Sequence, residues 1–175
     1  MYAELHARSA FSFLEGASQP EELIEAAAGL GVPAVALFDR DSLSGAPRFH
    51  MAAKKAGIRA LIGAEITSVE NCRYSLLAEN RTGYQNLCRL ITKMKLRAKK
   101  GEAAATPEDL AEHAAGLICL TGGEEGPLAL ALRGGPEEGR RCAERLVSIF
   151  GKGNVYAEVQ RHYDREEEAR NQAVA

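Results

Sequence analysis

The stretch that decides how this chain folds lies at its N-terminus, where residues 2–17 are YAELHARSAFSFLEGA. It begins with the alternation of a short β-strand and then becomes a polar and aromatic loop. A helix start follows directly, because Ser18 is succeeded by Pro20 in the first turn and by Glu21 three residues on. The loop from His6 to Glu15 is therefore predicted to lie between a strand end and a helix start, where α/β proteins build their sites.

Length and composition predict one ordinary globular domain. A chain of 175 residues can bury roughly two-thirds of its unfolded surface, and a net charge of -2 gives no overall reason to expect a nucleic acid or a membrane as partner. No run approaches the roughly 18 apolar residues of a membrane span, and no signal-peptide layout is present, so a cytoplasmic protein is expected. The widely spaced cysteines are predicted to be buried free thiols rather than disulfides or zinc ligands; they are Cys72, Cys88, Cys119 and Cys142.

The rest of the chain alternates apolar strands with amphipathic helices. Strands are predicted at residues 32–38, 58–66, 73–78, 116–120 and 154–160, and helices at 21–30, 45–56, 83–97, from 106, from 127, from 136 to 150 and at 164–175. The helical connections are long enough for right-handed parallel crossovers. Because the strand ends of a parallel barrel face one side, the residues that follow the strands are expected to converge. They are His6, Asp39, Arg40, Glu65, Glu79, Thr121 and His162.

Several stretches, taken together, resemble one family. They are YAELHARS (2–9) with FSFLEGA (11–17), ALFDRD (36–41), GAE (63–65), LLAEN (76–80) with GYQNL (83–87), and YAEVQRH (156–162). This set is similar to the N-terminal PHP (polymerase and histidinol phosphatase) domain of bacterial C-family polymerases, the DNA polymerase III alpha subunits, and most similar to their error-prone, translesion type. The resemblance implies an α/β fold, a distorted parallel (β/α) barrel of PHP type. It also implies that residues 1–175 are the N-terminal part of that domain, truncated before the last strands, the last metal motif and the polymerase domains.

The resemblance further implies the position of a metal site. Intact family members bind Zn, Mn or Mg at the strand ends. Here His6, Glu65 and His162 keep residue types that bind metals, whereas Arg8 and Arg40 stand where the family has histidine. Arginine stays charged and has no lone pair to offer a cation, so at least two ion sites are expected to be lost. The vestigial metal-site positions are His6, Arg8, Glu15, Asp39, Arg40, Glu65, Glu79 and His162.

An ion-pair network is predicted to replace the metal cluster. Arg8 and Arg40 can neutralise the carboxylates that remain through bidentate hydrogen bonds. On this hypothesis the chain keeps the structure and has lost hydrolysis, so no catalytic residue, metal or cofactor is expected in it. It would brace the remainder of a polymerase and dock replication or repair accessory proteins. The alternative from another class is a metal-dependent phosphoesterase that uses metal-activated water in the strand-end pocket.

A basic helix within residues 84–100 is the second candidate site. It carries Arg89, Lys93, Lys95 and Arg97, and no acidic residue lies between Arg81 and Gly101. Such a helix can contact DNA phosphates. A solvated helix face with cations near its C-terminus gives the same pattern and is favoured here, because no aromatic residues alternate with the cations to stack on bases.

The truncation that the resemblance implies has a physical consequence. An unfinished barrel leaves unpaired sheet edges and uncovered apolar surface. The fragment is therefore expected to self-associate, or to order its last helix against a neighbour.

Overall fold

A computed structural model describes residues 2–99, 101–160 and 165–174 of the chain. It divides into two compact units, the first ending at Glu65 and the second beginning at Ile66. None of the helices in these ranges is long and apolar enough to cross a membrane.

The first unit is a parallel three-stranded sheet with two helices. Its central strand pairs in parallel with both neighbours, and Arg40 at the end of that strand lies opposite Glu65. The carboxyl ends of all three strands therefore lie at one edge, as the sequence predicted for this part of the chain. The elements are β1 (Glu4–Ala7), α1 (Pro20–Gly29), β2 (Ala34–Arg40), α2 (Ala46–Ala56) and β3 (Arg59–Thr67), which runs past the end of the unit.

The core of the first unit lies between the sheet and its helices. Ile24 of α1 and Phe49 of α2 are fully buried and belong to one apolar cluster with Leu37 of β2. Burying a side chain of this size contributes about 1.5–3 kcal/mol. Val35 and Leu37 of β2 lie in this cluster, and Ala36 and Phe38 are buried on the opposite face, which explains why β2 is a nearly continuous apolar run.

The N-cap of α1 lies one residue later than Ser18, the N-cap that the sequence predicted, although the helix itself begins at Pro20, one residue before the predicted range. Gln19 is the N-cap, and its backbone N–H donates to Glu22 Oε2 at 2.7 Å. Ser18 belongs to the preceding loop instead, where its carbonyl accepts the N–H of Ala10 at 2.8 Å. The capping box therefore joins Gln19 to Glu22 rather than Ser18 to Glu21.

The second unit contains the remaining strands and helices. Its central strand is antiparallel to the preceding strand and parallel to the following one. The last strand is only two residues long, shorter than the predicted 154–160. The elements are β4 (Arg73–Ala78), α3 (Arg81–Arg97), α4 (Pro107–Glu112), β5 (Leu117–Leu120), α5 (Pro127–Leu132), α6 (Pro136–Phe150), a 3-10 turn (Lys152–Asn154), β6 (Val155–Tyr156) and α7 (Arg165–Val174).

The antiparallel pair of β4 and β5 corrects the expectation that every strand end faces the same side. Ala78 lies opposite Leu117, and the Glu79 N–H donates to the Gly116 carbonyl at 3.0 Å. Glu79 therefore lies at the amino end of β5, whereas Thr121 follows its carboxyl end. The two residues cannot meet at one edge of this sheet.

Helix α3 packs against the core of the second unit as its periodicity predicted. Its buried residues include Leu87, Leu90 and Met94. Gly83 in its first turn is required by close packing, since a Cβ there would lie 1.8 Å from the Gly116 carbonyl oxygen. The cysteines are free thiols, three of them buried and Cys88 partly exposed.

Candidate functional site

The loop between β1 and α1 is held in shape by its own backbone. The N–H groups of Glu15 and Gly16 both donate to the Ser12 carbonyl at 2.9 Å, and the Ser12 N–H donates to the Ser9 carbonyl at 2.9 Å. This turn needs glycine at position 16, because a Cβ would lie 2.1 Å from the Ser9 oxygen. Leu14 adopts a left-handed conformation with φ of 65°, which costs a leucine about 1–2 kcal/mol.

Asp39 at the end of β2 fastens this loop to the sheet. The side chain is buried, and its Oδ1 accepts the Ser9 N–H and the Ser12 hydroxyl, both at 2.8 Å. Its Oδ2 accepts the Ser9 hydroxyl at 2.8 Å. The Ser12 oxygen in turn accepts the Arg40 N–H at 3.1 Å. These bonds fix the position of the carboxylate and satisfy both of its oxygens.

Glu65 on β3 forms the centre of a second group. Its Oε1 accepts a hydrogen bond from Arg8 Nη2 at 2.6 Å and lies 2.9 Å from His6 Nε2. The His6 ring also contacts the Phe38 ring, with 4.8 Å between centroids. Burial alone would raise the pKa of Glu65, but the hydrogen bonds from His6 and Arg8 outweigh it and lower that pKa below its usual value. Glu65 is therefore ionised at neutral pH.

Glu15 connects the two arginines. Arg40 Nη1 donates to Glu15 Oε1, and Arg8 Nη1 lies 3.8 Å from Glu15 Oε2. Negative and positive groups consequently alternate from Glu65 through Arg8 and Glu15 to Arg40. We call His6, Arg8, Glu15, Arg40 and Glu65 the strand-end network.

The strand-end network does not fit a divalent cation. Arg8 donates to the same Glu65 oxygen that His6 contacts, so a guanidinium stands beside the two groups that a metal would need. Its charge would repel a cation, and it has no lone pair to bind one. Across residues 2–99, 101–160 and 165–174, no group of three or more His, Cys, Asp or Glu side chains could hold a metal ion.

The other predicted site positions are not part of the first unit. Glu79 is exposed in the second unit, where its Oε2 accepts a hydrogen bond from Asn80 Nδ2 at 3.4 Å. His162 lies outside the described residues. Sequence reasoning gave no role to Ser9 and Ser12, although two hydroxyls three residues apart, directly after a strand, are suitable donors for a buried strand-end aspartate.

The cations of the basic helix differ in their contacts within the second unit. Lys93 Nζ lies 2.9 Å from Asp109 Oδ1 and 2.5 Å from Glu112 Oε2. Arg97 Nη2 donates to Asp109 Oδ2 at 2.7 Å. Burial opposes ionisation of Asp109, but Arg97, the Thr106 N–H and Lys93 together hold its pKa well below the usual range. Arg89 and Lys95 are exposed.

Comparison with known proteins places the chain in a family. The model of the PHP domain family matches residues 4–162. The chain therefore belongs to the PHP domain family, as the sequence predicted.

Its relatives are much longer proteins. The chain is 40% identical over 187 residues to the error-prone DNA polymerase of Mycolicibacterium paratuberculosis, which covers 99% of this chain and 17% of that protein. It is 44% identical over 130 residues to the error-prone DNA polymerase of Pseudomonas fluorescens, covering 73% of this chain and 12% of that protein. The chain thus spans less than a fifth of these relatives and is homologous to the N-terminal region of error-prone DNA polymerases.

Solved structures agree on the fold. A crystal structure named as a metal-dependent phosphoesterase of Bifidobacterium adolescentis matches 98% of this chain and 82% of its own, with a TM-score of 0.60 and 17% identity. A lesion-specific endonuclease from Pyrococcus furiosus matches 93% of this chain and 42% of its own, with a TM-score of 0.53 and 16% identity. At these identities the likeness concerns the fold alone, and it confirms the predicted α/β fold of PHP type.

Proposed function

We propose that this chain is a non-catalytic PHP domain that serves as a structural part of an error-prone DNA polymerase. Residues 1–175 would form the N-terminal part of that domain. DNA replication, repair and translesion synthesis would be carried out in the cytoplasm by nucleotidyl transfer in other parts of the polypeptide. The names and lengths of the relatives support this role.

The observation that carries the proposal is the position of Arg8 between Glu65 and Glu15. A working phosphoesterase of this kind needs a cation to activate water. The Arg8 guanidinium instead donates to Glu65 Oε1 at 2.6 Å, while its other nitrogen faces Glu15. It supplies the positive charge that the carboxylates need, but it can neither polarise a phosphate ester as a Lewis acid nor hold a hydroxide.

A structural role agrees with what the rigid loop exposes. Phe13 is 76% exposed and Leu14 is 90% exposed, in a turn that Asp39 fixes to the sheet. Two large apolar side chains held out in one conformation lose little entropy when a partner covers them. We propose that they contact the remainder of the polymerase or, in the isolated chain, a second copy. Light scattering on the wild-type chain and on Phe13→Ser/Leu14→Ser tests the contact with a second copy. If that contact forms, the wild-type chain is an oligomer and the variant no longer forms it.

Metal content and turnover together test the loss of hydrolysis. The chain is equilibrated with Zn²⁺ or Mn²⁺, desalted, analysed for bound metal and assayed with an aryl phosphate. We expect no stoichiometric ion and no turnover, and no change in either for Glu65→Gln. One or more ions per chain, lost in Glu65→Gln, together with turnover that a chelator abolishes, would establish the phosphoesterase instead.

A matched pair of variants makes this test sharper. Arg8→His/Arg40→His returns imidazoles to the two positions, whereas Arg8→Lys/Arg40→Lys keeps the charge. If the arginines are what excludes the cation, the first variant should bind more Zn²⁺ than wild type and the second should not. Equal binding by all three proteins would remove the arginines from the explanation.

A further inference from the structure

The cations of α3 fall into two classes that the sequence could not separate. Lys93 and Arg97, one turn apart, face α4 and are paired with Asp109. Arg81, Arg89 and Lys95 are exposed, and none of the ion pairs between described residues includes them. The first class stabilises the second unit, and the second class faces solvent.

The exposed cations lie on a face that contains no acidic residue. We define the outer face of α3 as its exposed residues turned away from both the core and α4. No aspartate or glutamate occurs anywhere in Arg81–Arg97. From its first to its last cation this face extends about 21 Å, at about 1.5 Å per residue. The outer face of α3 comprises Arg81, Gln85, Arg89, Thr92, Lys95 and Leu96.

The helix dipole explains only one of these three exposed cations. Cations are favoured in the last turn of a helix, which accounts for Lys95 and Arg97. Arg81 is the first residue of α3, where a cation is unfavourable, and Arg89 lies in the middle. The charge at Arg81 therefore opposes the helix dipole, and the dipole gives no reason for a cation at Arg89, so we infer that the charge of this face has another use.

We propose that the outer face of α3 binds the backbone of double-stranded DNA through Arg81, Arg89 and Lys95. Duplex DNA carries one negative charge per about 1.7 Å of its axis, so a basic face of this length meets several phosphates. Gln85 adds a neutral hydrogen-bond donor between the cations. The choice of DNA as the ligand rests on the proposed function. The charge pattern itself lies in the second unit and involves no residue of the strand-end network.

The aromatic content of the face favours duplex over single-stranded DNA. Proteins that hold single strands combine a basic groove with aromatic side chains on which successive bases stack. Tyr84, beside this face, is an aromatic residue and is 37% exposed. Leu96, on the face itself, is 84% exposed but is not aromatic. One partly covered ring cannot form a row of stacking platforms, whereas contacts to phosphates need none.

Salt-dependent binding of a short fluorescent duplex to the chain tests the proposal. Anisotropy is followed between about 50 mM and 200 mM salt, where each phosphate contact adds about −0.9 to the slope of log K against log salt. For Arg89→Ala/Lys95→Ala we expect weaker binding and a slope smaller in magnitude by about 2. The matched control is Lys54→Ala/Lys55→Ala, which removes the same charge from exposed positions on α2 in the first unit and should leave the slope unchanged.

Each outcome decides the matter. An unchanged slope in Arg89→Ala/Lys95→Ala, or equal reductions in both variants, overturns the assignment to α3. Absence of salt-dependent binding by wild type would rule out a DNA site on this chain. Tighter binding of a single strand than of the duplex would overturn the choice of duplex DNA as the ligand. A chain that binds neither metal nor DNA would leave the structural role standing, so failure of this inference is distinguishable from failure of the proposed function.

Discussion

Two buried carboxylates, one in each unit, have their negative charges compensated in different ways. Glu65 and Asp109 are 3% and 2% exposed, and each has two side-chain partners that can be cationic. Asp109 also accepts the Thr106 N–H at 2.9 Å, three residues away, as part of a helix cap. The partners of Glu65 come from β1 and the loop after it, nearly sixty residues earlier. Asp109 is thus anchored by local structure, whereas Glu65 depends on a distant loop.

The two carboxylates differ in what surrounds them. Asp109 lies in a helix cap, where its charge stabilises the helix start. Glu65 faces an imidazole at the end of a parallel strand, and the Arg8 guanidinium donates to the same Glu65 oxygen. We propose that Arg8 makes this group an ion pair in place of a metal site.

The loop that supplies the partners of Glu65 gives the largest expected effect. Gly16→Ala brings a Cβ against the Ser9 carbonyl and should destabilise the chain by about 3 kcal/mol, because backbone cannot move away without breaking the Asp39 anchor. Urea unfolding followed by circular dichroism measures this. Gly29→Ala in α1, where nothing lies within 4 Å, is the control and should not lower stability. Equal stability of both variants would mean that the loop is not fixed.

The Asp109 cap gives the next effect, and its pH dependence has a definite sign. Asp109→Asn keeps the shape but loses charged hydrogen bonds, so we expect a loss of about 2 kcal/mol at neutral pH. Because the pKa of Asp109 is lowered in the folded state, its contribution is fully present above the ordinary value of 3.8 and is lost as pH falls through the folded pKa. The difference between wild type and variant should therefore shrink below a pH of about 4. A difference that grows on acidification would contradict this assignment.

Glu65→Gln should have the smallest effect of the three, about 1 kcal/mol, because Arg8 is one-third exposed and can turn to water. Denaturant midpoints of this variant and of Asp109→Asn, measured side by side, make the comparison quantitative. A loss at Glu65 larger than at Asp109 would mean that the strand-end network, and not the cap, is the more tightly coupled group.

Much of the fold was predictable from local signals. Apolar runs gave β2, β3, β4 and β5 within a few residues, and Gly57 and Thr106 marked a helix end and a helix start. The direction of β4 was not predictable in this way, since residues 79–116 are long enough to connect β5 in either orientation. The spacing of side chains in the sequence also cannot show which cation forms an ion pair with a given carboxylate. Lys93 and Arg97 were grouped with Arg89 and Lys95 until α4 separated them.

At the candidate site, residue types were more informative than positions. Arginine at positions 8 and 40 indicated chemistry that excludes metals, and both side chains lie beside carboxylates in the structure. The way Ser9 and Ser12 hold Asp39 could not be derived, because it depends on the turn that Gly16 permits. The position of Glu79 beside the amino end of β5, away from Thr121, likewise follows from the antiparallel pairing of β4 with β5, which the sequence did not predict.

Anomalous diffraction from crystals of this chain soaked in Zn²⁺ or Mn²⁺ tests the central claim most directly. We expect no anomalous peak beside His6 and Glu65, with the Arg8 and Arg40 guanidinium groups in contact with Glu65 and Glu15. An ion bound between His6 and Glu65, with Arg8 and Arg40 turned out into solvent, would contradict it.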